Sequence, residues 1–235
     1  MIKQVKKILP YQWKLQIKLL QRYFRERKES YQFAKTYDDK KIGKFKLELI
    51  QEIKKGSFYE NKIHNLNLVA DKINNLVLKP NEVFSFWKIV GKPTEKNHFK
   101  EGRNLINNKI SSDLGGGICQ LSSIMYHLSL QAGLEIIERY SHSMDIYKEH
   151  ERFTPLGADC TIVYGYKDLQ IKNNFNFPIQ FQCSIVDDRL VLSINSWEKI
   201  AVSDIKFVYL PREKGVLVET LRDEISLFKN FYIRS

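Results

Sequence analysis

Apolar positions recur first with the period of a helix and later with the period of a strand. Residues 11–28, YQWKLQIKLLQRYFRERK, place Trp13, Ile17, Leu20 and Phe24 at the i, i+4, i+7, i+11 spacing of one helical face. Lys14, Lys18, Arg22 and Arg25 lie off that stripe. The pattern predicts an amphipathic helix whose stripe meets either the rest of the fold or an anionic membrane surface. Packing on the domain is the first expectation, because apolar stripes usually meet core. A second helix is predicted over roughly 58–76, with Ile63, Leu66, Leu68, Val69, Ile73 and Leu76 as its apolar face. Lys79-Pro80-Asn81 then reads as a turn and EVFSFW as an alternating strand. Residues 94–117 read as loop, with a short strand near Asn104 to Asn107.

A third helix follows Gly117. ICQLSSIMYHLSLQA carries Ile118, Leu121, Met125, Leu128 and Ala132 at helical spacing, and Gly133 suits a C-terminal cap. Beyond it the period changes to two. EIIERYS, CTIVYGY, LQIKNN, IQFQCSIVD, RLVLSIN and DIKFVYL read as strands, with a hairpin turn at Asp187-Asp188. N-terminal helices, then a central helix feeding a mostly antiparallel sheet, make an α+β fold.

Composition narrows the functional classes. The net charge of +11 favours an acidic partner: nucleic acid, an anionic membrane surface or an acidic polymer. Residues 1–28 hold nine Lys or Arg against Glu26 alone, so residues 1–40 read as a basic helical extension ahead of a domain spanning 41–235. Aromatic residues are not interleaved with the cations as a base-stacking platform requires, which argues against nucleic acid. Cys119, Cys160 and Cys183 form no CxxC, so neither a metal nor a cofactor is expected. Cys160 and Cys183 fall in alternating apolar runs and read as structural. The first apolar run is broken by Pro10, Lys14 and Lys18 and resembles no signal peptide. No stretch approaches the roughly 20 apolar residues of a spanning helix. The expected location is cytoplasmic or peripheral to the inner face of the membrane.

The stretch SSDLGGGICQLSS, residues 111–123, carries the candidate chemistry. With Gly117 near the N-cap, Cys119 falls in the first helical turn. Unpaired backbone N–H groups and the positive end of the helix dipole favour thiolate there. Gly115, Gly116 and Gly117 clear the approach, and with Gln120 they offer donors for an oxyanion. The same loop equally suits a bound phosphate or carboxylate, the reading of a non-catalytic binding module.

A thiolate enzyme also needs a base and a group to orient it. His142, after the first strand, is the best placed base. His127 lies two turns down the helix, His64 lies in a helical pattern, and His98 and His150 lie in charged loops. Asp159 and Asp168 are the candidate orienting acids. An odd offset puts them on opposite faces of an unbroken strand, and the order of strands favours Asp159. The order Cys, His, Asp recurs in papain-like and transglutaminase-like folds, an analogy at the level of fold.

NEVFSFWKIVGKPT, GGGICQLSSIMYHLSLQAGLEIIERYSHSMD and DLQIKNNFNFPIQ resemble the VanW family, named for vancomycin B-type resistance proteins. NKIHNLNLVADKI resembles the upstream helix of its short single-domain members. The likeness covers about residues 61–183. It implies a link to glycopeptide resistance and the bacterial cell envelope. Some members with this domain resemble cysteine-dependent L,D-transpeptidases, which join peptidoglycan stems through an acyl-enzyme. On that pattern Cys119 is the nucleophile and His142 the general base. The acid is Asp168 if the more widely shared position holds, or Asp159 if the position carried by fewer members does. The expected activity is acyl transfer of L,D-transpeptidase or amidase type on a peptidoglycan-like peptide. The alternative is an envelope binding module using the glycine loop. The envelope enzymes of this kind carry export signals or anchors, which are not visible in this sequence.

Overall fold

Helical periodicity after the glycines produces a helix that is covered on nearly every side. The computed structural model describes residues 9–106, 109–145 and 152–234. Its elements begin with α1 (Tyr11–Lys28), β1 (Gln32–Phe33), β2 (Thr36–Tyr37), β3 (Phe45–Glu52) and α2 (Tyr59–Ile73). β4 (Leu76–Leu78), β5 (Glu82–Ser85), α3 (Phe86–Val90), β6 (Glu101–Ile106) and β7 (Lys109–Leu114) follow. Next come α4 (Cys119–Gln131), β8 (Glu135–Glu138), β9 (Met144–Asp145) and β10 (Gln170–Lys172). β11 (Ile179–Val186), β12 (Arg189–Ser196), β13 (Ile205–Arg212), β14 (Gly215–Arg222) and β15 (Ile225–Arg234) complete the chain.

The fold is α+β with mostly antiparallel pairing. One sheet has the order β2-β4-β11-β12-β3 and another β1-β5-β10-β8. A third sheet, β13-β14-β15-β9, is formed largely by the C-terminal meander, and β6-β7 is a separate ribbon. Helix α4 packs against β3, β12 and β8. Leu121, Ile124, Met125, Tyr126, Leu128 and Leu130 are buried in one core with Leu190, Leu192 and Ile194 of β12. Because strands approach from several sides, the burial extends beyond the single stripe of the periodicity to Ser122, Ser123 and Ser129. The residues before position 41 join the same architecture: β1 pairs with β5, and β2 pairs with β4.

Several expectations are corrected by packing. EVFSFW is a strand only to Ser85, whose Oγ accepts from the Lys88 N–H at 3.3 Å and caps α3. Leu76 starts β4, because Asn74 is extended and Asn75 has φ +64, which ends α2. CTIVYGY forms no strand. It makes one bridge, Val163 to Lys167, around Gly165 at φ +78. A Cβ on Gly165 would lie 2.3 Å from Leu15 Cδ1, so α1 occupies the space a regular side chain would need. The loop read over 94–117 instead contains the β6-β7 ribbon; Asn107 lies outside the described residues, as does His150. Asp187 and Asp188 do form the two-residue hairpin turn, both left-handed at φ +48 and +59, the signature of type I′. Strands β14 and β15 were not expected.

The largest departure is α1. Its apolar stripe faces outward: Trp13 is 65%, Leu20 55% and Phe24 60% exposed. The helix meets the domain with its other side, where Leu15 and Glu26 are buried. Among the described residues no helix is long and apolar enough to cross a membrane.

Leu128 is fully buried in the α4 core, so Leu128→Ala is expected to lower the unfolding free energy by about 2–5 kcal/mol in urea titration. A loss below about 0.5 kcal/mol would place this helix face outside the core.

Candidate active site

Close backbone packing explains the glycines ahead of α4. A Cβ on Gly116 would stand 2.1 Å from the Gly102 carbonyl carbon, so β6 and the loop touch backbone to backbone. Gly115 and Gly117 are left-handed at φ +77 and +91. Asn65, fully buried in α2, donates to the carbonyls of Lys100 and Gly116 at 2.9 and 3.0 Å and locks this crossing. The N–H groups of Gly115 and Gly116 bond to the carbonyls of Lys100 and Asp113. Those two donors are therefore committed to the loop itself. The cap position falls at Ile118, one residue later than expected, and Cys119 is the first residue of the helix.

Gln120 also differs from expectation. Its Nε2 donates to the Glu52 carbonyl at 2.9 Å, pinning α4 to the end of β3. The side chain is buried and turned to that strand, so it serves the helix seat.

Two serines of the same motif bring the partners of the cysteine into place. Ser122 Oγ donates to the Cys160 carbonyl at 2.7 Å, and Ser123 Oγ accepts from the Cys160 N–H at 2.9 Å. The segment 159–162 is thus stitched along the first turns of α4. His142, the Ile162 backbone and the Thr161 side chain surround the Cys119 thiol and act on its charge. It is partly exposed, whereas Cys160 and Cys183 are buried.

His142 follows β8 and is fixed by Asp159. The Asp159 Oδ2 accepts from both the His142 backbone N–H and its Nδ1, each at 2.7 Å. Nδ1 thereby carries the proton toward the carboxylate, and Nε2 is left for the thiol. Asp159 Oδ1 accepts from Tyr232 Oη at 2.5 Å and from Arg139 at 3.1 Å. Arg139 also donates to the Asp159 and Gly157 carbonyls. The segment around His142 is held from the far end of the chain as well, by the Ile233 N–H on the Ser143 carbonyl at 3.0 Å.

The electrostatics follow from these contacts. Burial opposes charge on Asp159, but His142 and Arg139 outweigh it and hold the carboxyl well below its usual range. Burial likewise opposes an imidazolium, yet Asp159 and Cys119 raise His142 to about 10. Burial pushes the Cys119 thiol up; the bond and charge of His142, with Ile162 and Thr161, more than offset it, so the pKa is lowered. Cys160 is pushed up by burial, and Cys183 is pushed up to about 12 for the same reason. The arrangement favours the charge-separated thiolate–imidazolium form over the neutral pair, and the two groups titrate as a unit.

Asp168, the other candidate acid, lies in a different network, away from His142. It accepts from Ser85 Oγ at 2.6 Å, the Trp87 N–H at 3.1 Å and the Leu169 N–H at 2.9 Å. Arg22 stands 3.7 Å away. Burial raises it to about 6, with Ser85, Trp87 and Arg22 acting in the opposite direction. The coil through Gly165, not strand alternation, separates the two acids. His127 is buried against Phe207 and pushed down to about 4 by desolvation. His64 bonds to the His98 carbonyl.

Sequence reasoning missed Arg139, Tyr232, Asn65, Ser122, Ser123 and Lys62. Two serines in the buried stretch of a helix were the one local signal. Lys62 packs its stem on Gly117, with Cγ 2.6 Å from where a Cβ would stand there. Burial, aided by the charge of Arg103, lowers its ammonium to about 8.

Residues 61–195 match the family described as VanW like protein. The chain is 31% identical over 173 residues to the vancomycin B-type resistance protein VanW of Enterococcus faecalis (strain ATCC 700802 / V583). That alignment covers 71% of this chain and 62% of that protein. It is 33% identical over 141 residues to the uncharacterized protein YoaR of Bacillus subtilis (strain 168), covering 60% of this chain and 45% of that one. In neither case does it span two thirds of the relative's length. No solved structure matches. Cys119, His142 and Asp159 fall within the matched family region; Tyr232 and α1 fall outside it.

Alkylation by iodoacetamide should reveal the coupled pair. The Cys119 rate is expected to reach its plateau below the ordinary thiol pKa of about 8.5, while Cys160 and Cys183 stay unreactive in the folded chain. Asp159→Asn removes the group that raises His142, so the imidazolium is lost at lower pH and the Cys119 profile moves upward. Asp168→Asn should leave the profile in place. The opposite pattern would return the orienting role to Asp168.

Proposed function

The chain belongs to the VanW-like protein family, and on that premise we propose that it is a cysteine-dependent acyl-transfer enzyme acting on a peptidoglycan-like peptide. The reading rests on one observation above all: a helix-initial, partly exposed thiol whose charge is favoured by a neighbouring histidine, with a ring nitrogen of that histidine held by a buried carboxylate. The resemblance of this order to papain-like and transglutaminase-like sites is part of the proposal. The name of the Enterococcus faecalis relative links the family to vancomycin resistance, and the envelope peptide as substrate class is part of the proposal.

In the proposed reaction the Cys119 thiolate attacks the carbonyl carbon of a peptide bond. The carbonyl electrons move to oxygen, where the Cys119 N–H at the start of α4 is placed to stabilise the negative charge. The intermediate collapses, the C–N bond breaks, and the His142 imidazolium gives its proton to the departing amine. A thioester and neutral imidazole remain. An acceptor amine, or water in an amidase, then attacks the thioester and loses its proton to His142, and the thiolate is released. Asp159 stays ionised throughout and holds the ring. The ammonium of Lys62, beside the loop, suits a carboxylate on the bound peptide. The commitment of the Gly115 and Gly116 N–H groups within the loop weighs against the binding-module alternative.

Mass spectrometry of the chain incubated with muropeptides ending in D-amino acids is the direct test. An acyl adduct is expected on Cys119, absent in Cys119→Ala. His142→Ala should slow its formation on the order of 10²–10⁴-fold. No adduct, or one on Cys160 instead, would overturn the assignment.

A further inference from the structure

Helix α1 is docked the wrong way round for a helix of its sequence. Its inner side is polar. Arg22 makes a two-pronged bond to Glu138 at 2.7 and 2.8 Å, and Arg25 reaches the same carboxylate at 2.5 Å. Buried Glu26 accepts from Gln170 at 2.9 Å and pairs with Lys88 at 2.9 Å. Leu15 inserts over Gly165, and Tyr11 stacks on Tyr166. These contacts fix the rotation of the helix about its axis. Rolling it to bury the apolar stripe would strand Glu138 and Glu26 without their cations.

The opposite side is left with Trp13, Ile17, Leu20 and Phe24 in one row, each between 41% and 65% exposed. Tyr23 flanks the row at 52% exposure. Exposed positions beside it are polar, Gln16 and Gln21, or basic, Arg27 and Lys28, with exposed Lys18 further round the helix. Glu26, the sole acid within the helix, points inward. An aromatic and aliphatic stripe flanked by cations matches the boundary between lipid headgroups and acyl chains, where tryptophan and phenylalanine insert and lysine and arginine meet phosphate.

We propose that α1 is a membrane-surface docking helix for anionic lipid, already oriented by its ion pairs to the domain. Charge selects this occupant over a second copy of the chain. Two copies would oppose the same basic flanks, on proteins that each carry a net +11. The docking is independent of the acyl-transfer reading. It also bears on the position of the candidate site, because Glu138, gripped by Arg22 and Arg25, adjoins Arg139 and lies four residues ahead of His142.

The full chain should co-sediment with vesicles of phosphatidylcholine and phosphatidylglycerol, and far less with phosphatidylcholine alone. Trp13→Gln combined with Phe24→Gln should lower partitioning about tenfold or more. Lys18→Gln with Lys28→Gln should weaken binding to the anionic vesicles, and added salt should do the same. Both variants replace exposed side chains, so unfolding temperature and Cys119 alkylation should be unchanged; that isolates the surface from the fold. Absence of binding to anionic vesicles, or equal binding by the Trp13 and Phe24 variant, would overturn the proposal. So would a dimer in sedimentation velocity that the same variant abolishes, since it would assign the stripe to a second copy.

Discussion

A carboxylate buried at Asp159 is the constraint on which the candidate site depends. An ionised acid out of water is costly unless its lone pairs are filled. Here they are filled by the His142 backbone N–H, His142 Nδ1, Arg139 and Tyr232. These donors come from the exit of β8, the segment before β9, and β15. One charge therefore draws together parts of the chain far apart in sequence. Asn230 of β15 also bonds Arg139, so the C-terminal meander braces the acid twice. The thiol benefits at one remove: Asp159 favours the protonated form of His142, and His142 in turn lowers the Cys119 pKa.

The glycine run at 115–117 answers to packing before it answers to chemistry. Gly116 meets the backbone of Gly102, and Gly117 lies under the stem of Lys62. Side chains at these positions would push the ribbon β6-β7 and helix α2 away from the start of α4. The same absence of side chains leaves the helix start accessible. A structural requirement and an open approach to Cys119 thus have a common cause, and serines 122 and 123 complete the placement by holding residue 160 along the helix.

A second polar network, built on Glu26, Glu138 and Asp168 with Arg22 and Arg25, performs a different task. It seats α1 and the N-terminus of α3, where Ser85 and the Trp87 N–H meet Asp168. Polar burial decides the rotation of α1 against its apolar moment. A partner for the outward stripe is then a consequence of how the inner face is satisfied.

Local signals in the sequence determined a good deal. The period-3.6 runs located α1, α2 and α4, because helical spacing is a property of neighbours within a few residues. The switch to period two located β8 and β10 to β13, and the paired aspartates marked the β11-β12 turn. The abrupt passage from three glycines to an apolar run put Cys119 at a helix start. Tertiary structure decided what such signals cannot carry. Which face of α1 is buried depended on ion pairs to Glu138, far along the chain. The strand expected over CTIVYGY was replaced by a coil because Leu15 claims the space at Gly165. Which acid meets His142 depended on Arg139 and on Tyr232, the latter in a strand that the sequence reading did not foresee. Periodicity reports only whether a position is apolar on its own element; the partner of a buried charge is set by which distant elements close around it.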